Sequence, residues 1–469
     1  MLGRVTSAIG HAGGSIGAID LVEASDRNLV RDIVVNASSE ADARRVVETL
    51  KSLNRVKVQE VSDRTFRLHR GGKIEVTPKI PIRNRDELAM VYTPGVARVS
   101  LAIARKADRA WPLTIKSSTV AIVTDGSAVL GLGNIGPFGA LPVMEGKAML
   151  FKSLADLNAF PICLATQEVP AIVETVRRIA PVFGGINLED ISAPRCFEVE
   201  EALSSALDIP VMHDDQHGTA VAALSGLINA LKVVGKKMKS VRVVIAGAGA
   251  AAIGTAKLLR RAGAGDIVVC DRLGAIYSGR TEHMNFAKEW AALNTNKGKL
   301  RGSLREVLRG ADVFLGLSAG GQLKPADVKR MARNPVVFAM ANPVPEIMPE
   351  DIPFARVVAT GRSDYPNQIN NALVFPGVFK GALAVRAKRI APGMLLAAAR
   401  AIADAVPPKA LGPDFIIPSI FTHGLADAVA EAVSGEAVRS HDARGSDLLK
   451  EGVLEFDRRS LVPEKNHAH

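Results

Sequence analysis

Two pairs of adjacent carboxylates carry the strongest chemistry in this sequence. Glu189-Asp190 follows Gly185-Ile186-Asn187-Leu188, and Asp214-Asp215 follows Val211-Met212-His213, so both pairs read as the ends of β-strands. Crowded carboxylates without matching cations repel one another. Helix caps or surface acids would account for either pair alone, but two pairs call for partners. A hard divalent cation supplies them, because three or more oxygen ligands with open positions suit Mg²⁺ or Mn²⁺. Lys147, in Met144-Glu145-Gly146-Lys147-Ala148, is a candidate base. The sequence places it in the first turn of a helix, where the positive helix end would lower its pKa. Tyr92, one of three tyrosines, lies in the tight turn Tyr92-Thr93-Pro94-Gly95-Val96.

A second constellation could bind a dinucleotide. The β-branched run 241–246 leads into Gly247-Ala248-Gly249-Ala250-Ala251-Ala252 and then a helix over 255–261. Gly247 permits the tight turn, Gly249 lets a pyrophosphate approach the helix N-terminus, and Ala252 allows close helix-on-strand packing. A second strand over 266–270 ends at Asp271, 22 residues after Gly249 and placed to accept from a ribose 2′-hydroxyl. Asp271 favours NAD, whereas the adjacent Arg272 could pair with the 2′-phosphate of NADP. Strands over 336–340 and 357–360 lead into Ala341-Asn342-Pro343 and Gly361-Arg362, with Asn370-Asn371 soon after. Asparagine amides can donate to a carboxylate or a nicotinamide amide, although Asn-Pro is also a turn starter.

The elements that position these residues read as α/β layers, with helical and strand-like segments alternating from Asp86 to about residue 400. The 469 residues, 48% apolar and 23% charged, exclude bulk disorder and a disulfide mini-scaffold. No run of ~18 apolar residues offers a membrane span, and the N-terminus lacks a signal peptide's apolar core. Three widely spaced cysteines suit a reducing, cytoplasmic setting. The net charge of +11 is spread along the chain and aromatics are only 4%, so nucleic acid is not the expected partner; an anionic small substrate is.

Residues 1–64 form a separate small unit: a helix with Leu2, Val5 and Ile9, extended runs over 15–22 and 29–37, a helix capped by Ser39, and a closing strand over 56–61. This α-β-β-α-β order, with the turn Ala12-Gly13-Gly14-Ser15-Ile16-Gly17, resembles an ACT regulatory domain without its first strand. Residues 65–85 read as a basic linker, and those past Ser434 as a partly ordered tail.

Taken in order, Tyr92-Thr93-Pro94-Gly95-Val96, Thr124-Asp125-Gly126 through Gly133-Asn134, Glu145-Gly146-Lys147, Asn187-Leu188-Glu189-Asp190-Ile191, His213-Asp214-Asp215-Gln216-His217-Gly218-Thr219, Ala341-Asn342-Pro343 and Asn370-Asn371 through Phe375-Pro376-Gly377 resemble the motifs of bacterial malic enzymes. The resemblance runs from about Pro78 to Pro418. It implies a substrate and metal domain over 86–230, a Rossmann-like NAD(P) domain over 231–433, and a tail over 434–469. It implies Glu189, Asp190 and Asp215 as metal ligands, with Asp214 beside Lys147 or the metal. Lys147 would be general base and Tyr92 general acid, with Asn342 and Asn370 on substrate or nicotinamide. The expected reaction is oxidative decarboxylation of L-malate to pyruvate and CO₂, in a homo-oligomer. One departure stands out: Asp125-Gly126-Ser127-Ala128-Val129-Leu130-Gly131 lacks the arginine with which the larger animal and plant enzymes grip a substrate carboxylate. A non-decarboxylating hydroxy-acid dehydrogenase would share the Rossmann half, and a nucleotide-sensing regulator would need the acids to be mere structure.

Overall fold

The computed structural model describes residues 1–25, 28–129 and 131–444, so most of the expected tail lies outside the described residues. Two compact units result, Met1–Lys73 and Ile74–His469. In the first, α1 (Leu2–His11), β1 (Ser15–Ala24), β2 (Leu29–Asn36) and α2 (Glu40–Ser52) follow one another. The strands pair antiparallel, and Val5, Ile9, Ala12 and Val46 pack against Ile16, Ile33 and Val35. Ser39 caps α2, its hydroxyl accepting the Asp42 N–H at 3.1 Å. The strand expected over 56–61 does not form. A strand exists only beside a hydrogen-bonding neighbour, and among the described residues β1 and β2 pair with each other alone. The expected linker also holds a short helix, α3 (Arg64–His69), capped by the Asp63 carboxylate.

The second unit opens with α4 (Arg85–Val91), α5 (Val96–Arg105) and α6 (Ala110–Leu113). Neither α4 nor α5 buries a residue. A four-stranded parallel sheet follows, built from β3 (Thr119–Thr124), α7 (Gly136–Ala155), β4 (Asn158–Cys163), α8 (Val169–Ile179), β5 (Gly185–Leu188), α9 (Arg195–Ala206) and β6 (Val211–His213). Its strand order is β4-β3-β5-β6. β3 and β5 are buried along their whole length, as a sheet covered on both faces requires.

The long helix α10 (Asp214–Val234) leads to β7 (Arg242–Ala246), α11 (Ala250–Arg261), β8 (Asp266–Asp271), β9 (Gly274–Ala275), α12 (Phe286–Asn294), α13 (Leu304–Val307), β10 (Val313–Gly316), α14 (Pro325–Val328), β11 (Val336–Ala339) and β12 (Val357–Thr360). These strands order as β12-β11-β10-β7-β8-β9, parallel except for the β8–β9 hairpin. Although α10 is long and apolar enough to cross a membrane, 67% of its most apolar window is buried, as expected of a core helix. The chain then turns back through α15 (Phe375–Ala384), α16 (Pro392–Asp404) and α17 (Leu425–Arg439). Phe375 of α15 packs tilted against Phe151 of α7 and Phe379 meets it edge-on, with ring centroids 4.7 and 5.6 Å away. Each such burial contributes about 1.5–3 kcal/mol. This return helix brings the Asn370-Asn371 segment to the first sheet.

Candidate functional site

In an open parallel sheet, ligands gather at the carboxyl ends of strands, where neighbouring connections diverge. In the first sheet β3 lies between β4 and β5; the loops after β3 and β5 carry Asp125 and Glu189-Asp190, and Asp214-Asp215 open α10 directly after β6. One oxygen from each of Glu189, Asp190 and Asp215 lies within 4.8 Å of the others. Asp190 holds a left-handed conformation, φ 53°, and its N–H donates to Asp215 Oδ2 at 2.8 Å. Its own Oδ2 is buried and, among the described residues, has no hydrogen-bond partner. An acceptor sealed away without a donor is costly, and a cation would satisfy it.

Lys147 lies at the base of this cluster, its Nζ donating to both Glu189 Oε2 and Asp214 Oδ2. The ammonium also sits 4.3 Å from the centre of the Phe375 ring. Asn187 Nδ2 donates to Glu189 at 2.9 Å, and Asn371 Nδ2 to Asp214. The helix around Lys147 corrects the sequence expectation. It begins at Gly136, with Pro137 at its start and Pro142 inside, so Lys147 is mid-helix and far from the positive end. Burial pulls the Lys147 pKa down, but Asp214 and Glu189 more than offset it and the net shift is upward. Burial, then Asp215 and Glu189, push Asp190 up to about 9. Burial, partly offset by Lys147, leaves Glu189 at about 7 and Asp214 and Asp215 at about 6.

The other predicted residues divide. Tyr92 stands 68% exposed at the C-terminal end of α4, and among the described residues its hydroxyl has no hydrogen-bond partner. Among the described residues no hydrogen bond joins it to Lys147, whose Nζ donates to Glu189 and Asp214. Asn370 uses its Oδ1 to cap the turn at Ala372, at 2.9 Å, so its neighbour Asn371 makes the amide contact to the cluster. Asn342 is exposed, beside Gly361 on the loop after β11. Sequence reasoning also missed Glu200 of α9. It accepts from the His213 N–H at 2.7 Å and from Gln216 Nε2 at 3.0 Å, and pairs with His217 at 3.0 Å, pinning the start of α10. These contacts span 13 to 17 residues of sequence, and no local pattern in the chain signals them.

In the second sheet the divergence falls between β7 and β10. Gly247 adopts φ 119°, and a Cβ there would lie 2.4 Å from the Leu317 carbonyl oxygen after β10. Gly249 caps α11 and faces open space: a Cβ would meet nothing within 4 Å. Ala252 is fully buried. The helix begins at Ala250, five residues earlier than expected, and Gly254 presses on α10, where a Cβ would lie 2.3 Å from the Gln216 carbonyl oxygen. Asp271 ends β8, and its carboxylate is not free. Arg280 grips it through Nη2 at 2.9 and 2.7 Å, and Lys288 Nζ donates at 2.8 Å. Burial raises the Asp271 pKa, but these donors prevail and hold it below the usual carboxylate range. Arg272 is exposed.

Residues 71–204 match the family model of the malic enzyme N-terminal domain, and residues 216–438 that of the malic enzyme NAD binding domain. The NAD-dependent malic enzyme of Geobacillus stearothermophilus is 55% identical over 445 residues, 95% of this chain and 93% of that relative. The bifunctional malic/malolactic enzyme of Bacillus subtilis is 53% identical over 375 residues, 80% and 92% of the two chains. The crystal structure of the NAD-dependent malic enzyme from Thermotoga maritima aligns with a TM-score of 0.77 at 47% identity, covering 80% of this chain and 100% of that one. Fold and site together define an α/β oxidoreductase with an NAD(P)-binding sheet and a second sheet that gathers acids. The chain belongs to the malic enzyme family.

Proposed function

We propose that the protein oxidatively decarboxylates L-malate to pyruvate and CO₂, reducing NAD⁺ with a divalent metal held by Glu189, Asp190 and Asp215. The observation that carries this is the buried, unpartnered Asp190 Oδ2 among three converging carboxylates, directly beside the Lys147–Asp214 pair. When bound, the cation would polarise the hydroxyl and later the ketone oxygen, and the dinucleotide would accept hydride.

The chain's own residues supply the proton path. Lys147 Nζ takes the substrate hydroxyl proton, and Asp214 Oδ2, hydrogen-bonded to it, shares the charge. As found, Lys147 holds its proton because Glu189 and Asp214 both face it. With the Glu189 charge engaged in holding a metal, Lys147 would lose part of that hold and be readier to act as a base. Gly249 would admit the pyrophosphate at the α11 N-terminus, where backbone N–H groups point outward. Asn342 would approach the nicotinamide, and Asn371 rather than Asn370 orients Asp214.

Tyr92 remains the proposed acid that protonates C3. It stands in the α4–α5 segment with exposed Leu88, Met90, Val91 and Leu101, an apolar surface that supports assembly into a dimer or larger oligomer. NAD over NADP is supported by the acid Asp271 at the ribose position and by the name of the Geobacillus relative. Free Cys163, Cys196 and Cys270 suit a cytoplasmic setting.

The test is absorbance of reduced nicotinamide with L-malate and Mn²⁺, using NAD⁺ and NADP⁺ in parallel, with and without EDTA, and with pyruvate assayed at the end. Metal-dependent reduction matched by pyruvate is expected. Reduction insensitive to EDTA, or with oxaloacetate accumulating, would remove the carboxylate-metal mechanism.

A further inference from the structure

The acidic centre poses a charge problem for the dianion that the proposed reaction consumes. Glu189, Asp190, Asp214 and Asp215 bring four carboxylates to one strand edge. Lys147 and a divalent cation offset three of those charges, and malate would add two more. The loop Asp125-Gly126-Ser127-Ala128-Val129-Leu130-Gly131 contains no lysine or arginine. A planar guanidinium matches a carboxylate better than any other side chain. Arg362, after β12, closes its fork on Asp364 at 2.8 and 2.6 Å.

Arg195 is held differently. It is the first residue of α9, immediately after the loop that carries Glu189 and Asp190. Nη2 donates to Asp125 Oδ2 at 3.0 Å, and the Asp125 side chain is fully buried. Nε is sealed from solvent with no acceptor among the described residues, while the side chain as a whole keeps 31% exposure. Ser127 ties this pair to the acidic loop: its hydroxyl donates to Asp125 Oδ1 at 2.5 Å and accepts the Ser192 N–H at 2.9 Å. The next residue's N–H, from Ala128, donates to the Asp190 carbonyl at 2.9 Å. Asp125 thus fixes the guanidinium at the carboxyl edge of β3 and β5, one loop from Asp190, with donor capacity left over.

We propose that Arg195 is a substrate-binding residue that takes the C1 carboxylate of the 2-hydroxy dicarboxylate, with Asp125 setting the plane of its fork. This rests on the malate-oxidising reading of the site. C1 is favoured over C4 because a charge-assisted grip on C4 would oppose the loss of charge as CO₂ departs, whereas C1 keeps its charge from substrate to product.

Steady-state kinetics of wild type, R195Q and R195K would test this. Binding of oxalate, which offers a carboxylate pair but no C4, would be followed by calorimetry at saturating Mn²⁺. R195Q should raise the KM for L-malate by about 10- to 100-fold and weaken oxalate similarly, leaving the KM for NAD⁺ and the affinity for Mn²⁺ unchanged. R195K, which keeps charge without the fork, should fall between. An unchanged malate KM in R195Q would overturn the proposal, as would oxalate binding that stays tight while malate weakens. A joint loss of malate, NAD⁺ and Mn²⁺ affinity with a lowered Tm would leave Arg195 as a mere brace for Asp125, and would also overturn it. Failure of the malate reading itself has a separate signature: wild type that does not oxidise malate at all, with the oxalate comparison still deciding the role of Arg195.

Discussion

Lys147 Nζ and Asp214 Oδ2 are hydrogen-bonded across 67 residues of sequence, joining the middle of α7 to the first residue of α10. The pair is buried, and Asn371 reaches the same carboxylate oxygen from the return segment before α15. Three separate stretches of chain therefore converge on one oxygen atom. An ion pair so placed is weak evidence for stability, since desolvation opposes the attraction, but removing one partner strands the other.

Lys147→Met should cut malate turnover by roughly 10²- to 10⁴-fold, the range for a lost general base. It should also destabilise the fold by about 3–5 kcal/mol where the carboxylates are ionised. Glu189 and Asp214 can relieve the strain by taking up protons, so the deficit should shrink at low pH. Thermal unfolding at pH 5 and pH 8 checks this, and a deficit independent of pH would mean the lysine does not compensate those acids.

The metal-free protein should lose stability as pH rises from about 4 to 9. Asp190 at about 9, Glu189 at about 7, and Asp214 and Asp215 at about 6 all lie above ordinary carboxylate values. The folded state therefore binds more protons than the unfolded chain across that window, and each carboxylate's contribution is lost as pH climbs through it. The raised Lys147 pKa adds no slope there, because the lysine is charged in both states. Mn²⁺ competes with the same protons, so its stabilisation should grow with pH. Calorimetry with EDTA or Mn²⁺ at pH 5 and 8 measures both. Equal Mn²⁺ increments at the two values would count against these carboxylates as ligands.

Asp271→Asn should shift cofactor preference toward NADP⁺. Arg280 and Lys288 are both directed at that carboxylate, and an amide leaves their charge uncompensated where a 2′-phosphate would lie. The KM for NAD⁺ should rise and that for NADP⁺ fall, each by about tenfold if one charged hydrogen bond changes hands. Parallel titrations decide it, and a loss for both cofactors would indicate that Asp271 only braces the β8–β9 hairpin.

Tyr92→Phe should lower pyruvate formation by about 10²-fold or more while Mn²⁺ and NAD⁺ bind normally, if the hydroxyl is the acid. The side chain is exposed at the end of α4, so the fold itself should be untouched. Pyruvate assays beside a thermal melt separate the two effects, and wild-type turnover would end that assignment.

What was legible in the sequence follows the range of the interaction. Ser39 as a cap and Gly247 in its turn depend on neighbours a few residues away, and the structure places both as the pattern predicts. The strand over 56–61 failed because extended sequence does not reveal whether a partner edge exists. The start of α7 failed because Gly136, Pro137, Gly139 and Pro142 look like loop residues, although Pro137 is well placed in the first turn and the helix continues through Pro142. Of Asn370 and Asn371, one caps a turn and the other contacts Asp214, 157 residues away, a choice that local sequence cannot encode. The family motifs located the acids, but not the partners Arg195 and Glu200 that fix the loops around them.

Gly249 and Gly254 lie five residues apart and should respond oppositely to substitution. At Gly249 a side chain meets open space, so Gly249→Val should keep the fold within about 0.5 kcal/mol, as for a surface change. It should still abolish tight dinucleotide binding by filling the approach to the α11 N-terminus. At Gly254 a single methyl group would press on the Gln216 carbonyl, next to Asp215, so Gly254→Ala should destabilise by about 1–3 kcal/mol. Because the strained backbone adjoins a proposed ligand, Mn²⁺ affinity should fall with it. Thermal melts and Mn²⁺ titration of both variants test the pair. If Gly254→Ala melted and bound Mn²⁺ like wild type, the α10–α11 contact could not be what sets the position of Asp215.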